Sequence, residues 1–134
     1  MENRKILVVD DESDMRIYLS TVVETMGLEP IVAGDGPEAL EKVRALRPAL
    51  VILDVMIPKI EDGLRTYQQF REEDGLGSIP IIMVSAIARK TFFHYIRLLK
   101  PLSGQKLPEP DDYMEKPPDA AELNRLITML LQGD

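Results

Sequence analysis

Leu50-Val51-Ile52-Leu53-Asp54-Val55-Met56-Ile57-Pro58 is the stretch on which the fold turns. It is a short apolar run broken by one carboxylate and bounded by Pro48 and Pro58. Such a run reads as a parallel strand buried on both faces. An unpaired charge inside that strand would be costly. Asp54 is therefore expected at the strand's end, where the chain leaves the sheet. In open α/β sheets that carboxyl edge is where ligands bind.

Working outward, the same grammar repeats. Lys5–Val9 is a first apolar strand ending in Asp10-Asp11-Glu12. Met15, Tyr18, Leu19, Val22, Val23 and Met26 then recur at helical spacing. Ser13 or Asp14 is the expected cap of that helix and Gly27 its stop. Residues 28–33 form a second strand. Pro37 suits the first position of the next helix, which Pro48 ends. Beyond Pro58, a polar loop leads to a helix that turns Leu64, Tyr67 and Phe70 inward and ends near Gly75. Residues 79–84 form a fourth strand with Ser85 at its end, and Pro80 is tolerated at its start. Helical spacing returns over residues 89–100. Residues 101–110 carry three prolines and a glycine and no periodicity. Asp112–Glu115 is a short strand, and Asp119 with Glu122 opens the last helix in a capping-box-like pair. Five strands alternating with five helices predict one domain over residues 1–134: a parallel sheet with helices on both faces. The chain stops where its last helix stops, and the expectation is a domain without an output domain after it.

Composition narrows the function. The chain has 134 residues, enough for one domain with its own core. Its net charge of -7 argues against direct binding to nucleic acid or an anionic membrane. The absence of cysteine removes disulfides, thiolate zinc sites and thiol catalysis, and the single histidine, His94, removes a His-rich metal site. No signal peptide and no membrane-spanning run is present, so a cytoplasmic location without membrane insertion is expected.

The strand ends supply the chemistry. They present Asp10 and Asp11, Asp54, Ser85 and Lys116 in turn. Carboxylates converging in one crevice stay ionised together only near a cation. An all-oxygen set favours a hard ion that keeps several waters, which is Mg²⁺. Metal, lysine and hydroxyl together suit a phosphoryl group. An aspartate can take that group as an acyl phosphate.

Asp10-Asp11, Leu53-Asp54-Val55-Met56-Ile57-Pro58, Val84-Ser85-Ala86 and Tyr113-Met114-Glu115-Lys116-Pro117 together resemble the receiver domain of two-component response regulators. The resemblance runs from about Lys5 to Leu131 and implies a flavodoxin-like sheet of order 2-1-3-4-5. It implies that Asp54 accepts phosphate from a histidine kinase or phosphotransfer protein. Asp10, Asp11, Asp54 and the Met56 backbone carbonyl would hold Mg²⁺. Lys116 would bind the phosphoryl group, Ser85 would be the switch hydroxyl and Tyr113 the switch aromatic. Met56 and Ile87 match the positions flanking the phosphoryl group. Both are apolar and cannot orient an attacking water, so a long-lived phosphorylated form is expected. The protein would catalyse only its own phosphotransfer and slow dephosphorylation, and would act on an unknown downstream protein target. A phosphorylation-linked homodimer fits the same pattern.

Two departures from the family pattern stand out. The Asp62-Gly63 pair comes one residue late, which predicts a reshaped loop after Asp54. The connection between Ser85 and Lys116 is long, and the excess falls at 101–110, with Lys100 and Lys106 as candidate partner contacts. Other features read as packing or solvation: Phe92-Phe93-His94-Tyr95 as core and rim, and Arg71-Glu72-Glu73-Asp74 as a solvated helix end. The alternative to the phosphoacceptor reading is a receiver-fold interaction module that works without phosphorylation, but the complete Asp10, Asp11, Asp54, Ser85, Lys116 set argues against it. A haloacid-dehalogenase-type hydrolase would need a second carboxylate where Met56 stands.

Overall fold

The computed structural model describes residues 4–98 and 108–132. Ten elements alternate along the chain: β1 (Lys5–Val9), α1 (Ser13–Thr25), β2 (Glu29–Ala33), α2 (Gly36–Leu46), β3 (Leu50–Leu53), α3 (Ile60–Glu72), β4 (Ile81–Ser85), α4 (Arg89–Leu98), β5 (Asp112–Glu115) and α5 (Ala120–Gln132). The five strands form one parallel sheet of order β2-β1-β3-β4-β5, as expected. Most of the expected connection at 101–110 lies outside the described residues, as do Lys100 and Lys106; only residues 108–110 of it are described.

The central strands are apolar without interruption because each face meets helices. Leu7, Val9, Val51, Leu53, Ile81, Met83 and Tyr113 share one core with Ala39, Val43, Leu64, Tyr67, Phe70 and Phe92 of α2, α3 and α4. Their neighbours Ile6, Val8, Leu50, Ile52, Ile82, Val84 and Met114 share another with α1 and α5, through Leu19, Val23, Leu123 and Ile127. The period of two is thus present in β3, although polarity does not mark it.

Helix starts differ in detail from the expectation. The N-cap of α1 is Glu12, whose side chain caps nothing; neither Ser13 nor Asp14 takes that place. A carboxylate at this position instead reaches Lys116, at 3.3 Å. In α2 the cap is Asp35, which accepts the Glu38 N–H at 2.9 Å, and Pro37 follows one residue inside the helix. The start of α3 accommodates the late Asp62-Gly63 pair: the Asp62 carboxylate accepts the Lys59 N–H at 3.2 Å. Gly63 is fixed by close approach. A Cβ there would stand 1.8 Å from the Val55 carbonyl oxygen.

Candidate functional site

Register brings the acidic residues together. Val9 lies opposite Leu53, so the residues that follow both strands emerge side by side. The Asp54 N–H continues the ladder to the Val9 carbonyl at 2.9 Å. Asp54 sits at the end of β3 as expected, yet it is only 3% exposed. Its position does not spare it from burial; its partners compensate for that burial. Oδ1 accepts the Met56 N–H at 2.9 Å, and Oδ2 accepts Lys116 Nζ at 2.9 Å.

Lys116 is the hub. It follows β5, and its N–H donates to the Ser85 carbonyl at 2.8 Å. From there its ammonium crosses the edge of the sheet to Asp10 Oδ2 at 2.8 Å, Asp54 Oδ2 and Glu12 Oε1. Asp10 is fully buried, and its other oxygen accepts the Glu12 N–H at 2.9 Å. Burial works against the ammonium, but hydrogen bonds to Asp10 and Asp54 outweigh it, and its pKa is raised. Burial is also the largest influence on Asp54. It raises the carboxyl pKa against the opposing hydrogen bonds from Lys116 and the Met56 N–H. One ammonium therefore faces Asp10, Glu12 and Asp54, with Asp11 exposed beside them. The negative charge is under-compensated.

That imbalance fits a hard cation. Carboxylate oxygens of Asp10, Asp11 and Glu12 lie within 4.8 Å of one another. An oxygen-only set of this size suits Mg²⁺. The cluster overlaps the set read from the sequence in Asp10 and Asp11 and adds Glu12. Asp54 stands outside it, joined to it through Lys116. Met56, whose side chain is exposed, is joined through its N–H to Asp54. Glu12 was not assigned a role from sequence, although three consecutive carboxylates directly after a strand were the available signal.

Ser85 and Tyr113 meet on the other side of Lys116. Ser85 is fully buried, and its Oγ accepts the Ile87 N–H at 3.3 Å. Tyr113 is turned inward: its ring is buried, stacks on Phe92 at 4.8 Å, and its hydroxyl donates to the Ile87 carbonyl at 2.5 Å. Burial pushes its phenol up to about 12, against the lowering effect of the Ser85 hydroxyl. The structure thus unites all five strand-end residues and places Tyr113 beside Ser85. Phe92 is core, Phe93 packs partly against it, and His94 and Tyr95 are exposed, as expected. The Arg71–Asp74 run ends α3 with Asp74 exposed, as expected, but its first residue departs from a solvated reading. The Arg71 side chain is only 8% exposed and ion-paired with Asp111, and Glu73 pairs with Arg44 at 2.6 Å.

The sequence profile described as the response regulator receiver domain matches residues 6–128. The probable transcriptional regulator ycf27 of Cyanophora paradoxa is 39% identical over 132 residues, 98% of this chain and 50% of that protein. The alkaline phosphatase synthesis transcriptional regulatory protein PhoP of Bacillus subtilis is 37% identical over 130 residues, 97% of this chain and 49% of its own length. The chain thus spans about half the length of these curated relatives. The receiver domain of the Francisella response regulator 1452 superposes with a TM-score of 0.78 at 27% identity, over 98% of each chain.

Proposed function

The chain belongs to the response regulator receiver family, and from that membership we propose that it accepts a phosphoryl group on Asp54 from a histidine kinase or phosphotransfer protein. The observation that carries the reading is the Lys116 ammonium between Asp10 and Asp54, at 2.8 and 2.9 Å. Two carboxylates are held close in a dry crevice by one cation, which makes the crevice receptive to a further cation and then to an anion.

Each residue has a role in this proposal. Asp54 supplies the attacking oxygen; the donor's P–N bond breaks as its O–P bond forms, and the donor imidazole leaves with a proton. Lys116 moves from carboxylate to phosphoryl oxygen without leaving the crevice. Ser85 Oγ, which accepts the Ile87 N–H at 3.3 Å and neighbours the Tyr113 hydroxyl, donates to another phosphoryl oxygen. Asp10, Asp11 and Glu12 would hold Mg²⁺, which when bound would neutralise charge on the phosphoryl group. Asp54 and the Met56 carbonyl would supply further oxygens to that ion. Tyr113 then reports the state of Ser85 to partner proteins, through contacts that differ between the two states. The domain turns over no external substrate, and its phosphorylated form decays slowly because Met56 and Ile87 present no group that can orient water. The setting is cytoplasmic signalling through a downstream protein, with a phosphorylation-linked homodimer as one output. No helix among the described residues is long and apolar enough to cross a membrane.

Incubation with acetyl phosphate and Mg²⁺, followed by intact mass measurement, tests the reading. Wild type should gain one phosphoryl group; Asp54→Asn, Asp11→Ala and wild type in excess chelator should not. Undiminished labelling in chelator would remove the metal from the mechanism.

A further inference from the structure

Three segments meet at one guanidinium at the amino-terminal edge of the sheet, opposite Asp54. Arg71 Nε donates to the Tyr67 hydroxyl oxygen at 3.1 Å. Its Nη1 reaches the carbonyls of Gly77 and Ile79, at 3.2 and 3.0 Å, in the loop before β4. Its Nη2 donates to Asp111 Oδ2 at 2.8 Å, just before β5. The same Asp111 oxygen accepts the Ile81 N–H at 2.7 Å, and the Asp111 N–H donates to the Ile81 carbonyl at 3.0 Å. Tyr67 is fully buried, and its hydroxyl donates to the Pro108 carbonyl at 2.6 Å.

β5 needs such an anchor. Among the described residues it is a four-residue edge strand paired only with β4. A tight turn would fix its register, but β5 follows a long connection, whose closure cost barely changes when the register slips by one. A one-residue slip would exchange the faces of Tyr113 and Met114, which belong to different cores. It would also move the Lys116 N–H off the Ser85 carbonyl and carry the ammonium away from Asp10 and Asp54.

We infer that Arg71, with Tyr67 and Asp111, is the positioning group that sets the register of β5 and so holds Lys116 and Tyr113 in place. The register claim stands on these contacts; its consequence for phosphoryl acceptance rests on the function proposed above.

Amide hydrogen exchange in the unphosphorylated full chain tests it. The Lys116 amide lies at the far end of β5 from Arg71, and the Asp54 amide, bonded to Val9 on β1, is the internal reference. Arg71→Met keeps apolar volume and removes the donors; Tyr67→Phe removes one hydroxyl. In Arg71→Met, exchange at Lys116 should quicken by about tenfold relative to Asp54. Tyr67→Phe should shift the ratio the same way by less, and it decides the matter if Arg71→Met does not fold. Equal acceleration of both amides, or an unchanged ratio, would mean that Arg71 merely stabilises the domain and would overturn the inference. Failure of wild type to label at Asp54 would defeat the phosphoacceptor reading and leave the exchange result standing.

Discussion

Lys116 and Asp54 are opposed in what they do for stability. Lys116 satisfies two nearly dry carboxylates, so Lys116→Met leaves them facing each other and should cost about 3 kcal/mol. Asp54→Asn leaves an Asp10–Lys116 pair that is closer to neutral. In metal-free buffer it should stabilise the fold by about 1 kcal/mol. The pH dependence has a definite sign. The folded Asp54 pKa is raised, so the folded state keeps a proton that the unfolded chain has released. Stability from this group is lost as pH rises from the unfolded to the folded carboxyl pKa. The advantage of Asp54→Asn should therefore grow through the carboxylate range and level off towards neutrality, as read from urea midpoints. Lys116 behaves oppositely in range: its raised pKa keeps its contribution fully present below the ordinary lysine value, and it is lost only in strong alkali. Tyr113 follows the same rule. Its contribution holds below the ordinary tyrosine value of about 10. It is lost as pH rises through about 12. Tyr113→Phe should reduce the late phenolate absorbance in an ultraviolet titration, leaving the contribution of buried Tyr67, whose pKa burial also raises. Unchanged late absorbance would place the ring elsewhere.

Among the elements, the β3–α3 junction leaves no room for a side chain at Gly63. A Cβ on Gly63 would meet the Val55 carbonyl carbon and oxygen, which are backbone and cannot swing aside. Gly63→Ala should cost about 3 kcal/mol and slow labelling at Asp54, because Val55 follows the acceptor directly. A thermal melt within a degree or so of wild type would show that the loop relaxes freely. This constraint was only half legible in the sequence. The Asp62-Gly63 pair was visible, and so was its one-residue delay, but the carbonyl it packs against is a tertiary fact. Strands β1, β3 and β4 were legible because apolar runs ending at Asp10, Asp54 and Ser85 repeat one pattern, whereas β5, Asp112–Glu115, is half charged and was marked mainly by its place before Lys116. Arg71 was not. A charged run at a helix end usually faces water, and nothing local distinguishes the arginine that turns inward toward Tyr67 and Asp111. Glu12 was hidden for a related reason: the cap was expected at Ser13 or Asp14, and nothing local shows that the carboxylate before them turns to Lys116.

For the whole molecule, the sheet order is what converts scattered residues into a site. Asp10, Asp54 and Lys116 are far apart in sequence, and the order β2-β1-β3-β4-β5 brings all three to one edge. The opposite edge carries the Arg71 cluster, so acceptance chemistry and the anchoring of β5 are separated by the length of the strands. The central claim is that phosphate resides on Asp54. An acyl phosphate, unlike a phosphate ester, is reduced by borohydride, which converts the aspartate to homoserine. Wild type treated with acetyl phosphate and Mg²⁺, reduced, digested and sequenced by mass spectrometry should carry homoserine at position 54. Homoserine at position 10 or 11, or a phosphorylated protein whose Asp54 emerges unreduced, would contradict the account.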